Sequence, residues 1–237
     1  GIINKAFSIE VNKNQIIDDF SKSNILTSLS GSEGFIFPET YFFLPNTYLN
    51  IVVTELKNRF YFNLRDLFVS LKENTNKNIE EKIPDTDFLK IYSLDLKDLD
   101  IQSFFDEETK AVNLAKRLTV ISEIGTTTLS IKDIITMASY LEGEANNEKD
   151  MRIVSGALWT RLKLGYPLQI DAATSTYKNK GFTKTPINNP GLIAIKAALN
   201  PIKTGYIYYI TGNDGNMYYA KDYDTHLDNI NKYLRNR

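Results

Sequence analysis

Residues 130 to 147, SIKDIITMASYLEGEANN, place two glutamates, Glu142 and Glu144, just after the largely apolar run Ile134 to Leu141. Ser130 with Asp133 three residues later has the form of a helix N-cap and its capping-box partner, so the spacing predicts a helix beginning at Ile131. At about 100° per residue, Ile131, Ile134, Ile135, Ala138, Leu141 and Ala145 share one stripe roughly 120° wide. Glu142 projects within that stripe, between the directions of Ile131 and Ile135, whereas Glu144 falls outside it, near Met137. A carboxyl on a buried face must be paired, neutralised or put to use. Desolvation disfavours its ionised form and raises its pKa, which is what a carboxyl general acid needs near neutral pH. The bland reading is a helix-end glutamate that turns out to water or meets an arginine.

Other elements must hold such an acid in place. Upstream, residues 6 to 29 pair a short apolar run, Phe7 to Val11, with a helix over Gln15 to Ser23. The run GSEGFIFPETYFFLPN, residues 31 to 46, is aromatic and punctuated by Gly31, Gly34, Pro38 and Pro45. Helical periodicity returns from Leu49 to Leu71, and residues 73 to 110 read as a charged, irregular segment. Downstream, Asn147 caps a second helix whose buried face is Met151, Val154, Leu158 and Leu162, with Gly165 as its C′ residue. Trp159 reads as core or as a cleft wall. A loop rich in Gly, Pro, Thr and Asn follows, of the kind that often carries function beside a helix pair. Ile193 to Leu199 is a short helix closed by Asn200-Pro201. Tyr206 to Ile210 and Met217 to Ala220 form a hairpin around Asn213 to Asn216. A final helix covers about Thr225 to Leu234, and the expected fold class is α+β.

Composition narrows the chemistry. The 237 residues are 42% hydrophobic and 24% charged with a net charge of −1, so the chain is globular and has no electrostatic reason to bind nucleic acid. There is no cysteine and a single histidine, His226. Disulfides, thiolate metal sites, cysteine nucleophiles and a multi-histidine zinc centre are thereby excluded. No GxSxG segment supports a serine nucleophile. The 14 tyrosines and 13 phenylalanines suit sugar-facing clefts and core packing alike. No run approaches 18 apolar residues, so the residues given are not expected to span a membrane, and the start at Gly1 without a Met leads to the expectation of an upstream segment that has been removed.

Several segments, in order, resemble the endolytic murein (lytic) transglycosylase family, the MltG or YceG-like proteins. Glu33-Gly34-Phe35-Ile36-Phe37-Pro38-Glu39-Thr40-Tyr41 is similar to that family's E-G-x-L-F-P-D-T-Y. Ala138-Ser139-Tyr140-Leu141-Glu142-Gly143-Glu144-Ala145 is similar to A-S-I-V-E-K-E-A. Arg161 to Asp171 is similar to R-L-x-x-G-M-P-L-Q-x-D. Lys184 to Gly191 then precedes Ala194-Ile195-Lys196-Ala197-Ala198-Leu199-Asn200-Pro201, and the hairpin and His226 match the closing strands and E-H-N signal. Residues 7 to 28 weakly resemble a LysM-like subdomain, and 65 to 125 match nothing identifiable. The resemblance implies an N-terminal LysM-like or accessory region over 1–115 and a YceG-like catalytic domain over 116–237.

It also implies a reaction: non-hydrolytic cleavage of the β-1,4 bond between N-acetylmuramic acid and N-acetylglucosamine, leaving a 1,6-anhydro end. The first Glu of E-x-E falls on Glu142, which would protonate the leaving oxygen and then accept the proton of the muramyl C6 hydroxyl. Hydrolytic glycosidases usually need two carboxylates; an internal hydroxyl in place of water lets one suffice. The substrate-binding candidates are Glu144, Gln169, Asp171, Ser175, Tyr177 and Glu33. Each has a plainer reading: Glu144 as the runner-up acid or a helix-end charge, Gln169 and Asp171 as turn formers, Tyr177 as packing. Glu33 would pair with Arg161 or Arg152, and His226 reads as structural. No metal or organic cofactor is implied. The implied partners are peptidoglycan glycan strands and peptidoglycan synthases. The implied location is the cell envelope, on the extracytoplasmic face of the cytoplasmic (inner) membrane, with a membrane anchor outside this chain.

Where family members carry a longer stretch ending in Y-N-T-Y, Asp171 is followed almost at once by Thr174-Ser175-Thr176-Tyr177. N-R-L has become Thr160-Arg161-Leu162, and the P-T after L-Q-x-D has become Ala172-Ala173. These departures fall on substrate positioning, whose loss can cost orders of magnitude in rate. Two other readings therefore stay open. One is a binding or scaffold homologue without turnover. The other is a hydrolase using Glu142 with Glu33 or Asp171.

Overall fold

The computed structural model describes residues 32–44, 47–80, 100–122 and 125–235. The strand-helix unit expected over 6–29, and with it the LysM-like expectation, lies outside the described residues. Helix α1, Leu49–Glu80, buries Val52, Leu56, Phe60, Tyr61, Leu64, Leu67, Phe68 and Leu71, a succession of three- and four-residue steps that keeps one face inward. It runs past the expected end at Leu71. Residues 72 to 80 contain no Gly or Pro to stop it, so the charged run continues the helix to Glu80.

A 3-10 turn, Ile101–Phe104, leads to the two-residue strands β1, Phe105–Asp106, and β2, Ala111–Val112. Next comes a hairpin of β3, Arg117–Ser122, and β4, Gly125–Ser130, with Arg117 opposite Ser130. That hairpin delivers the chain to helix α2, Ile131–Glu144. The capping box forms as its sequence predicts: Ser130 N–H donates to Asp133 Oδ2 at 2.9 Å, and Asp133 N–H donates to Ser130 Oγ at 3.1 Å. Helix α3, Glu148–Leu164, starts at its Asn147 cap and ends at Gly165, whose φ of +69° is the left-handed C′ conformation that glycine adopts without strain. Helix α4, Leu192–Leu199, is followed by β5, Tyr208–Thr211, β6, Met217–Ala220, and helix α5, Tyr223–Ile230, which widens into a π turn over Asn231–Arg235.

The described strands form three separate antiparallel pairs, β1-β2, β3-β4 and β5-β6, among packed helices. The fold is α+β, as expected. Helix α2 lies at its centre, and every residue from Ile134 to Leu141 is buried. One hydrophobic cluster joins Phe60 to Leu71 of α1, Phe104, Phe105, Leu118, the α2 residues, Val154 and Leu158 of α3, Leu168, Ile170, and Ala194 to Leu199 of α4. Trp159 belongs to this core, and its indole N–H donates to the Ala198 carbonyl at 3.0 Å, tying α3 to α4.

Candidate active site

Glu142 and Glu144 are about 200° apart around the end of α2, so they face different surroundings. Glu142 is exposed. The expectation that it lies in the buried stripe is corrected by the packing. Partners cover α2 all round from Ile134 through Leu141, so burial there does not follow a stripe, and the last turn emerges on the Glu142 side. Its Oε2 accepts the Gly191 N–H at 3.0 Å. The segment beneath is anchored by Asn189, whose Oδ1 accepts Gly34 N–H at 2.8 Å and Ile36 N–H at 3.3 Å. Gly34 has φ +88°, and a Cβ there would lie 2.3 Å from Pro186 Cβ, so the turn and its close approach both require glycine. Ile187 N–H donates to Ser139 Oγ at 3.1 Å, Asn188 Nδ2 to Ser139 O at 3.0 Å, and Thr183 N–H to the Tyr140 hydroxyl at 2.8 Å. The Glu33 to Pro38 motif thus backs the 183–191 loop, which in turn holds Glu142 by a backbone N–H.

Glu144 is half-buried, and its carboxyl is pushed from the ordinary 4.5 up to about 7. Burial is the main cause, the neighbouring Asp171 carboxylate adds to it, and the Tyr209 hydroxyl opposes it. The direction is that of Met137, seven residues earlier and fully buried. Asp171 is itself gripped by Tyr177, whose hydroxyl donates to Asp171 Oδ1 and is raised to about 12 chiefly by that bond. Both belong to a loop closed by an antiparallel bridge between Pro167 and Lys180. Within it, buried Thr176 Oγ1 accepts Ile170 N–H at 2.8 Å and donates to Ala173 O at 2.7 Å.

Gln169 occupies the left-handed region at φ +56°, which costs a non-glycine residue about 1 kcal/mol or more and persists only where neighbours impose it. Arg161 imposes it. Its buried guanidinium donates from Nε to Pro167 O at 2.8 Å, from Nη1 to Ile207 O at 3.2 Å and from Nη2 to Gln169 Oε1. It also lies 5.6 Å from the centre of the Tyr208 ring. The hairpin adds Tyr209, whose hydroxyl is buried without a completed hydrogen bond although the Glu144 carboxyl adjoins it. His226 stacks on Tyr208 at 5.0 Å, and burial together with the Arg161 charge lowers its pKa.

The expected substrate residues therefore divide. Gln169, Asp171 and Tyr177 gather on the Glu144 side. Glu33 lies in the segment behind the Glu142 side, and neither proposed arginine partner is paired with it: Arg161 is committed as above, and Arg152 Nε donates to Asn200 O at 3.0 Å. Ser175 is exposed and contributes its carbonyl to the turn, accepting Lys178 N–H at 3.2 Å. Sequence reasoning missed Tyr209 as a member of this cluster; the doubled tyrosine in Tyr208-Tyr209 was the available signal, since alternation in a strand sends one of them inward.

An α+β fold whose central helix ends in two carboxyls, flanked by a braced polar loop and a tyrosine-rich hairpin, defines the class of protein. The profile of the YceG-like family matches residues 3–175 and 175–232, and the chain belongs to that family. The match runs through 65 to 125, where the sequence alone offers no recognisable motif, and its two segments meet at Ser175, within the contracted loop. A Bacillus subtilis protein named endolytic murein transglycosylase is 28% identical over 184 residues, covering 68% of this chain and 51% of the relative. A Streptococcus pneumoniae protein of the same name is 25% identical over 166 residues, covering 58% and 30%. The chain thus spans about half or less of the length of these curated relatives. A crystal structure of a yceG-like protein from Listeria monocytogenes shares the fold, with a TM-score of 0.55 at 17% identity over 88% of this chain and 64% of the other. Among the described residues no helix is long and apolar enough to cross a membrane.

Proposed function

We propose that this protein is an endolytic lytic transglycosylase of peptidoglycan in which Glu144 is the acid and then the base. The observation that carries the assignment of the acid is the environment of Glu144: a half-buried carboxyl beside Asp171, protonated up to about pH 7, on the side where Gln169, Asp171 and Tyr177 converge. In the first half of the reaction the Glu144 carboxyl gives its proton to the glycosidic oxygen, and the bond from that oxygen to the muramyl C1 breaks. In the second, the C6 hydroxyl oxygen closes on C1 and its proton returns to Glu144. The acid is regenerated, and a 1,6-anhydromuramyl end and a free N-acetylglucosamine hydroxyl remain. Asp171 favours the proton on Glu144 before transfer, and Tyr177 keeps Asp171 in place.

Glu142 is the second reading, supported by its place in the A-S-x-x-E motif and by the Gly191 N–H that fixes its carboxylate. The same proposal takes 116–237 as the catalytic unit and 1–115 as accessory, with residues 33–38 bracing the site. It places the protein in the cell envelope, on the extracytoplasmic face of the cytoplasmic membrane, acting on glycan strands beside their synthases.

The test is mass spectrometry of purified glycan strands incubated with the parent, Glu144→Gln and Glu142→Gln. Internal anhydromuramyl ends are expected from the parent and from Glu142→Gln, with a loss of about 10²–10⁴-fold in Glu144→Gln. The reverse pattern in the two variants assigns the chemistry to Glu142. Reducing muramic ends indicate hydrolysis, with Asp171 available as the second carboxyl. Glycan binding with no new ends from any of the three overturns the enzymatic reading in favour of a binding protein.

A further inference from the structure

We propose that Tyr209 of β5 is a positioning residue for Glu144, holding the inner carboxyl oxygen so that the proton to be transferred sits on the outer one. The inference rests on the assignment of Glu144 above. A buried hydroxyl without a hydrogen bond is costly, about 1–3 kcal/mol, and one in a native interior needs an explanation. Tyr209 Oη is such an atom, and its neighbours are those of the site: the Glu144 carboxyl from α2, the Asp171 carboxylate from the 167–180 loop and the Arg161 guanidinium from α3. Tyr177, from the same loop, is spent on Asp171. Tyr209 is therefore the donor left to Glu144. Hydrogen bonds at catalytic groups are often long or misaligned without substrate and tighten when it binds.

The charges around the pair favour this geometry. Burial and the two carboxylates hold the Tyr209 phenol protonated, with its pKa well above the ordinary value, so it acts as a fixed donor and not as an acid. Arg161 polarises it by its positive charge while donating its own N–H groups to carbonyls. With Tyr209 O–H on one oxygen of Glu144, the proton resides on the other. After that proton leaves, the same O–H steadies the carboxylate until the C6 hydroxyl returns one.

The substitution that tests this is Tyr209→Phe, which keeps the ring in the core and removes only the hydroxyl. A first measurement needs no activity: the Glu144 carboxyl is titrated by NMR in protein labelled with ¹³C at the glutamate side chain, its signal assigned with Glu144→Gln. Loss of a donor to the ionised form should raise the Glu144 titration by about half a pH unit or more. A second follows glycan cleavage, where kcat should fall about tenfold with KM little changed and the alkaline limb should move up with the titration. Coincident titration curves in parent and variant overturn the proposal, as does an unchanged kcat and pH profile in a parent that cleaves. If neither protein cleaves but the titrations differ, Tyr209 retains its role toward Glu144 and the transglycosylase reading fails. A hydroxyl with a merely structural role would alter melting temperature and leave both readouts in place.

Discussion

Two glutamates separated by one glycine end in unlike surroundings because two residues turn an α-helix through about 200°. Glu142 meets a backbone N–H in an exposed place, and Glu144 meets a carboxylate and a buried phenol. The raised pKa of Glu144 has consequences for stability and for rate. Unfolded glutamate releases its proton near 4.5, while the folded chain retains it up to about 7. Between those values the folded state binds more protons, so stability falls as pH rises, and above about 7 the penalty is complete. Glu144→Gln should therefore be more stable than the parent at pH 8, by about 1–2 kcal/mol after allowance for partial exposure, and no more stable at pH 4. Urea unfolding at the two pH values measures this, and equal differences at both would contradict the buried carboxyl. On the same grounds, cleavage needs the protonated acid and should decline as pH rises through about 7.

At the scale of elements, the site is held by braces that are not themselves chemical. Asn189 supplies one oxygen to two buried N–H groups, Gly34 and Ile36, and so ties the Glu33 to Pro38 segment to the loop that carries Gly191. Asn189→Ala should strand both donors and cost about 2–4 kcal/mol, read as a lowered urea midpoint and faster proteolysis near residues 33–38. A loss below about 0.5 kcal/mol, the range of an ordinary surface change, would mean that water replaces the asparagine. The capping box at Ser130, the Asn147 cap and the Gly165 terminus were all legible because each is a local rule with a named donor and acceptor. The continuation of α1 to Glu80 was less so: a polar run without a breaker can be helix or loop, and the choice is made by the helix it extends.

Across the whole molecule, one hydrophobic cluster spans α1, the 104–118 region and the helices that bear the site. Phe68 is fully buried in it and stacks on Phe104 at 6.1 Å. Phe68→Ala should destabilise the protein by about 3–5 kcal/mol. The only tryptophan, Trp159, lies in α3 among the site-bearing helices. Its fluorescence should report the full loss at the same urea midpoint as far-ultraviolet circular dichroism. An unmoved Trp159 transition would mean that 116–237 folds without α1.

The sequence alone determined what depends on neighbours in the chain: caps, helix starts and ends, the hairpin around Asn213 to Asn216, the α+β class, and the presence of a candidate acid in the Glu142-Gly143-Glu144 run. Its resemblance to the YceG-like family also brought out Gln169, Asp171 and Tyr177. The sequence could not choose between the two carboxyls by helical periodicity, because that argument assumes a helix with one wet face, and α2 is covered on every side from Ile134 to Leu141. Which glutamate emerges and which stays beside Asp171 is decided by α3, α4, the 167–180 loop and the β5-β6 hairpin closing around that turn. Tyr209 reaches Glu144 from 65 positions away in the chain. Desolvation and the field of a neighbouring carboxylate act through space, so they exist only once the tertiary structure has brought those groups together.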